Sequence, residues 1–439
     1  MTLSVWKTST REHNWIIGII FLYFLVLSGD LLEISVGTIG IKLSRFFGCV
    51  LLSVLVLSNR FRILERKLFF CFLGILSSFV ISSFFSCHFS RSIGSAGAGL
   101  FTYVCFFLVP LNLMFLFDRE KILRLYLLSF AMVGIHALSQ FLLSFLGIIE
   151  PFVTQRAGIT AIARGQSWTY EPSYYALFAI PFVVYLNTRY LLREEGLSIW
   201  KVLGANLLLL ISTSTGGFFS YFIFFATCLF LSLFVRIKHA FPALRARAGK
   251  FFIGFAVLLC SAGLIMIEMF LHTFYKFFYI GFLTHWSFME RWEKIVEGWK
   301  VFCSSPLFGV GLRGFEELSY RQAHFNSAHV PIYGPIDTRE MFMQYTPSNV
   351  FMEILSTLGM YGLCAFVLLG VVVWQMFYTA VQDDRLPVKE RKRILAFFVS
   401  LIVMCVCLQF NQELFRNYVW VHMGICVGYL LSVRTEFAN

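Results

Sequence analysis

WSFMERWEKIVEGWKVF at 286–302, SSPLFGVGLRGF at 304–315 and TPSNVFMEILSTLGMYG at 346–362 bracket the one long polar passage of this chain. On both sides of it the sequence is apolar enough to lie in lipid. The passage therefore reads as a loop presented at a membrane surface by an embedded scaffold. Within it Trp286, Met289, Trp292, Ile295, Val296 and Trp299 recur at steps of three to four, with Arg291, Glu293, Lys294, Glu297 and Lys300 on the other faces. That spacing predicts an amphipathic helix lying along the outer membrane face. Pro306 ends it, and Gly309, Gly311 and Gly314 let the backbone turn sharply. Beyond Phe315, Arg321, His324, His329, Asp337, Arg339 and Glu340 follow without periodicity, as in a lid.

Outside this passage the composition decides the class. Of 439 residues, 58% are apolar, 18% aromatic and only 14% charged, which is the make-up of an all-α polytopic membrane protein. A spanning helix needs about 20 apolar residues. Twelve stretches qualify: 14–29, 44–58, 67–86, 95–117, 124–147, 171–188, 199–212, 217–235, 251–273, 348–378, 394–411 and 417–433, the second and seventh being short. The expected division is nine spans over 1–273, a large outward loop over 274–347, and three more spans over 348–439.

A formal charge of +12 would suit a nucleic-acid partner, but its distribution does not. Basic residues gather in alternate connections: Arg60, Arg62, Arg66 and Lys67; Arg119, Lys121 and Arg124; Arg189 and Arg193; Arg236 to Lys250; Arg385 to Arg393. This alternation is the positive-inside pattern and places both termini in the cytoplasm. The clusters read as topology signals and contacts with anionic membrane lipid. Residues 14–29 read as a signal anchor. Most of the 11 cysteines fall within spans, so neither a disulfide framework nor a zinc site is expected.

The candidate chemistry sits in the outward connections. Arg91 lies near a membrane boundary. Arg156 and Arg164 precede Glu171, which stands just before Pro172 where the chain re-enters the membrane. Glu171 has two readings, a helix-terminal charge favoured by the dipole or a general base. STSTGG at 212–217 reads as a tight hairpin tip whose hydroxyls suit a sugar. In NQELFRNY, Glu413 and Arg416 are close enough to pair. No GxSxG, Walker loop, HExxH or GxGxxG-after-strand pattern is present. No D-x-D pair occurs, and only Asp30 and Asp337 of the aspartates face outward, so no metal and no cofactor is expected. What remains is a set of outward arginines. Arginine binds phosphate bidentately and keeps its charge, which suits a diphosphate leaving group.

EPSYYALF at 171–178 after an arginine-bearing loop, the STSTGG hairpin, RWEKIVEGWKVFCSSPLFGVG and SNVFMEILSTLGMYG together resemble the bacterial O-antigen polymerase and O-antigen ligase superfamily. The resemblance implies a GT-C-like membrane fold and a metal-independent, inverting glycosyltransferase of the bacterial inner membrane, with its active site facing the periplasm. It implies undecaprenyl-diphosphate-linked glycan as donor and acceptor, and a chain-length regulator as a protein partner. Carried over by position, Arg164 and Arg291 match the family's loop arginines, with Arg156 as a rival to Arg164. These two and Glu171 are the expected catalytic residues; Arg91, Arg156, Arg313, Arg321, His324, His329 and Asn349 are expected substrate contacts.

The ligase pattern places His-Asn, nine residues, then Gly-x-x-Gly after the long loop. Asn349, Gly359 and Gly362 fit it, but Ser348 stands at the histidine position, and Thr215 stands where members often carry arginine. The missing histidine points to a polymerase rather than a ligase and leaves the base open among Glu171, His324 and His329. A lipid-linked-glycan flippase is the rival from another class. It would concentrate charge at mid-membrane, where this chain has mainly His136 and Glu268.

Overall fold

The computed structural model describes residues 10–36, 39–58, 61, 65–148, 150–153, 164–233, 286–315, 347, 349–409 and 414–437. They form α1 (Thr10–Leu25), a hairpin of β1 (Glu33–Val36) and β2 (Ile39–Lys42), α2 (Leu43–Leu57), α3 (Arg66–Phe84), α4 (Phe89–Leu116) and α5 (Arg119–Phe145). There follow α6 (Pro172–Leu191), α7 (Ile199–Leu210), α8 (Thr215–Leu233), α9 (Trp286–Ser304), α10 (Val350–Gln382), α11 (Val388–Cys407) and α12 (Asn417–Phe437). The expected span 251–273, the basic connection 236–250 and the passage 316–346 lie outside the described residues. Each other expected span falls on a helix. By length and composition α3, α4, α5 and α10 are able to cross a membrane, and shorter apolar helices accompany them. The small hairpin is an addition to the sequence reading. Its two strands pair antiparallel, Glu33 opposite Lys42 and Ile34 opposite Ile41.

Helices α6, α11 and α12 form the centre of the bundle. Every residue over 175–188 and over 393–401 is buried, as befits helices that are apolar all round. The outer helices expose apolar side chains instead: Phe69, Phe70 and Leu73 on α3, Leu128, Met132 and Ile135 on α5, Val367, Leu368 and Val371 on α10. Apolar surface of this extent marks contact with lipid. Several polar groups inside the bundle pair with one another. Asn187 and Asn206 exchange amide hydrogen bonds of 3.1 and 2.8 Å, and His422 lies between the Tyr126 hydroxyl (3.2 Å) and Ser400 Oγ (2.8 Å).

One end of the bundle is tied by charge. Arg393 Nε donates to Glu194 Oε1 at 2.7 Å, and its Nη1 donates to Glu120. Arg189 grips the same Glu194 with two bonds of 2.5 and 2.6 Å. Arg119 pairs with Glu390 and Glu436, and the Tyr429 hydroxyl donates to Glu390 at 2.5 Å. The network joins α5, α6, α11 and α12. It gathers three of the basic clusters at one end, as their alternation along the chain requires.

Helix α10 is broken at Gly359, whose φ of 66° and ψ of −165° are not helical. A break leaves carbonyls orphaned on one side and N–H groups on the other. The segment after α9 satisfies both. Val310 and Gly311 donate to the carbonyls of Ser356 and Thr357 at 3.1 and 2.9 Å, while Met360 and Tyr361 donate to those of Pro306 and Leu307 at 2.8 and 3.0 Å. The backbones approach so closely that a Cβ at position 359 would lie 2.5 Å from the Leu307 carbonyl carbon. Only glycine combines that approach with a positive φ. SPLFGVG and ILSTLGMYG are thus the two halves of one backbone clasp.

Candidate functional site

At the end opposite the ion network, three connections converge: 164–171 before α6, the tip 211–214 between α7 and α8, and 414–416 before α12. Helix α7 has 12 residues and rises only about 18 Å, short of a hydrocarbon core of about 30 Å. Starting beside the charged cluster at Glu194, it leaves its tip below the rim of the bundle. Irregular backbone at such depth needs partners within the protein.

Arg164 supplies them. Its Nε donates to the Ser212 carbonyl at 3.2 Å and to Thr213 Oγ1 at 2.9 Å, and its Nη2 donates to the Thr213 carbonyl at 3.1 Å. Gly165 N–H adds a bond of 3.0 Å to the Ile211 carbonyl. Burial pulls the Arg164 guanidinium below its ordinary pKa, and the negative charge of Glu171 works against that fall. The tip oxygens are neutral, so they orient the guanidinium without cancelling its charge. Glu171 occupies the N-cap position of α6 in extended backbone, but its side chain makes no capping hydrogen bond. Its carbonyl is the acceptor there, taking the N–H groups of Tyr174 and Tyr175.

The strand of loop beside Arg164 is clamped to α5. Gln140 Oε1 accepts from Ser167 N–H at 2.7 Å, and its Nε2 donates to the Ser167 carbonyl at 3.1 Å. One turn away, His136 Nδ1 lies 3.0 Å from Ser167 Oγ and Nε2 lies 3.1 Å from Glu150 Oε1. The imidazole stacks on Trp168 with ring centroids 4.8 Å apart. On the other flank Arg416 pairs with Asp30 at 3.3 Å and lies 3.7 Å from the Tyr174 ring centroid. Asp30 also binds Lys42 at 3.2 Å. Buried Glu353 on α10 fixes this connection by accepting Leu414 N–H at 2.9 Å.

The structure therefore brings Arg164 and Glu171 together. Arg91 and Arg313 are both exposed. The Arg313 turn packs on the start of α4, where a Cβ on Gly311 would come within 2.6 Å of Ser92 Oγ. Asn349 caps α10, its Oδ1 accepting from Met352 N–H at 2.9 Å and its Nδ2 donating to the Gln409 carbonyl at 2.7 Å. Position 291 lies on α9, which packs on α10 through Gly298 and leaves Trp292 and Trp299 exposed. The Arg291 side chain, together with Arg156, Arg321, His324, His329 and Ser348, lies outside the described residues.

Three side chains at this end go beyond the sequence candidates. Arg416 is the expected mate of Glu413, which lies outside the described residues; among the described ones it meets Asp30 and Tyr174. His136 stood out as a lone histidine in an apolar span, but its carboxylate mate Glu150 belongs to the next connection.

Fold and site together define a multi-pass α-helical membrane protein with a recessed cation at one end. Residues 200–367 match the Wzy_C family model, described as O-antigen ligase. The match places that stretch within the O-antigen polymerase and ligase superfamily. Its members are glycosyltransferase-like enzymes acting on lipid-linked glycans in the membrane. The matched stretch holds the hairpin tip, α9 and the clasp, while Arg164 and Glu171 precede it. No curated protein matches the chain.

Proposed function

We propose that this protein polymerises undecaprenyl-diphosphate-linked oligosaccharide repeat units at the outer face of the bacterial inner membrane. The observation that carries the reading is Arg164, held on neutral oxygens of a recessed hairpin tip. A fixed, desolvated cation is what a departing diphosphate needs, because charge stabilisation is strongest where water is excluded and no reorganisation is required. Arg291, on the helix that flanks the clasp, is the second expected contact of the diphosphate. Glu171, whose charge Arg164 feels, is the group this reading assigns to the acceptor sugar. The acceptor hydroxyl attacks the anomeric carbon from the side opposite the diphosphate, in one displacement that inverts the centre. Arginine in place of a metal fits the lack of any D-x-D pair in the sequence.

Serine at position 348, where the ligase pattern has histidine, favours the polymerase. The description of the matched family model favours a ligase. The surface glycan of a strain lacking this protein decides between them. A polymerase defect leaves a single repeat unit on the core. Bare core with accumulated lipid-linked polymer would overturn the reading in favour of a ligase. Single units trapped inside the cell would overturn it in favour of a flippase.

A further inference from the structure

Serine at the ligase histidine position leaves the base for the transfer open, and the fold offers a further candidate. His136 lies between a hydroxyl and a carboxylate: Ser167 Oγ at 3.0 Å from Nδ1 and Glu150 Oε1 at 3.1 Å from Nε2. An ionised carboxylate only accepts hydrogen bonds, so Nε2 carries the proton in the neutral ring and Nδ1 presents its lone pair to the Ser167 hydroxyl. A base oriented by a carboxylate and facing a hydroxyl is the arrangement that activates hydroxyl nucleophiles.

Three further features set this group apart from an ordinary core histidine. The His136 and Glu150 side chains keep 20% and 28% of their surface exposed, so the pair is not sealed into the bundle. The second Glu150 oxygen, Oε2, is buried and has no hydrogen-bond partner among the described residues. Ser167 has a φ of 54°, in the left-handed region that a non-glycine residue adopts at a cost. Ser167 is also three residues from Arg164, on the loop segment that Gln140 clamps to α5.

Resting on the polymerase reading, we infer that His136, oriented by Glu150, is the general base for the acceptor hydroxyl. Ser167 occupies the position of that hydroxyl in the resting protein and yields it by rotating about its χ1 bond. In the transfer, the acceptor oxygen forms its bond to the anomeric carbon as the bond from that carbon to the diphosphate oxygen breaks. The diphosphate leaves with the electron pair, and the acceptor proton passes to Nδ1. Glu150 stabilises the resulting imidazolium, which then releases the proton to water.

The test uses purified full-length protein and lipid-linked repeat units extracted from the producing strain deleted for this protein. A general base contributes about 10²–10⁴ in rate. His136→Gln is therefore expected to lose at least about 100-fold in kcat, with KM for the lipid-linked unit and the unfolding midpoint near wild type. Added imidazole is expected to restore part of the rate to His136→Gly. A kcat within about threefold of wild type in His136→Gln would overturn the assignment. If neither His136 variant accumulates, Glu150→Gln decides: reduced kcat at unchanged KM upholds the dyad, and normal kcat overturns it. Wild-type protein that transfers nothing would overturn the polymerase reading and this inference with it. Wild-type transfer with normal variants would overturn the inference alone.

Discussion

At one end of the bundle Arg393 has carboxylates of Glu194 and Glu120 on its guanidinium, and Arg189 and Arg119 are paired in the same way. At the other end Arg164 donates to two carbonyls and a hydroxyl of the hairpin tip. Both arginines are largely withdrawn from water, but they are satisfied by different chemistry. A buried cation matched by carboxylates has its field neutralised locally, and what it contributes is attachment between helices. A half-buried cation aimed by neutral oxygens, with Glu171 as the carboxylate whose charge it feels, has less of its field neutralised. The first arrangement suits a fastening, the second a site for an anion.

Removing the fastening is expected to have the largest effect. Breaking a buried pair from one side strands the other charge and costs about 3–5 kcal/mol. Arg393→Ala should lower unfolding stability in detergent by that order while transfer per folded molecule persists. The same end should be acid-sensitive. Burial alone would raise the Glu194 carboxyl, but hydrogen bonds and charge from Arg189 and Arg393 outweigh it and hold the group below its usual range. A depressed folded value means that this stabilisation is full above the unfolded pKa of about 4.3 and fades as pH falls through the folded one. Unfolding midpoints followed from neutral to acid pH should show that loss in the wild type and not in Glu194→Gln.

Arg164→Ala comes next, with a loss of about 10²–10³ in transfer rate. Arg164→Lys should fall between, since it keeps charge but not the planar fork that reaches both tip carbonyls. Equal rates for all three proteins would erase the contrast between the ends.

Gly359→Ala addresses the clasp that holds the loop against α10. Holding a non-glycine residue at this φ costs about 1–3 kcal/mol, and the overlap with Leu307 adds to it. Lower thermal stability is expected; an unchanged midpoint would show that the clasp is not tight. The smallest effect belongs to Asn349→Ala. Loss of an N-cap costs about 0.5–2 kcal/mol, and the transfer rate should hold. A rate loss without a stability loss would return Asn349 to the substrate contacts.

These assignments mark where the sequence was legible. Spans and the α9 stripe follow from local windows, because apolar length and three-to-four spacing are properties of consecutive residues. Gly309 and Gly311 were visible as turn formers and Gly359 as part of a family spacing, but their joint use was not, since 306–311 meets 356–361 only in the folded chain. Arg164 stood out as a loop arginine, whereas its anchor at Thr213 lies far along the sequence. Asn349 fitted a family spacing that the fold uses, at least in part, to cap a helix. His136 showed itself, but Glu150 and Ser167 become its neighbours only when the loop folds back onto α5.

The contrast between the two ends is tested most directly by ligand-induced stabilisation, because a ligand that binds only the folded state raises the unfolding midpoint whatever the starting stability. Undecaprenyl diphosphate would be titrated into wild-type, Arg164→Ala and Arg393→Ala protein in detergent. The expected result is a low starting midpoint for Arg393→Ala with a full upward shift, and little or no shift for Arg164→Ala. A full shift in Arg164→Ala would contradict the account.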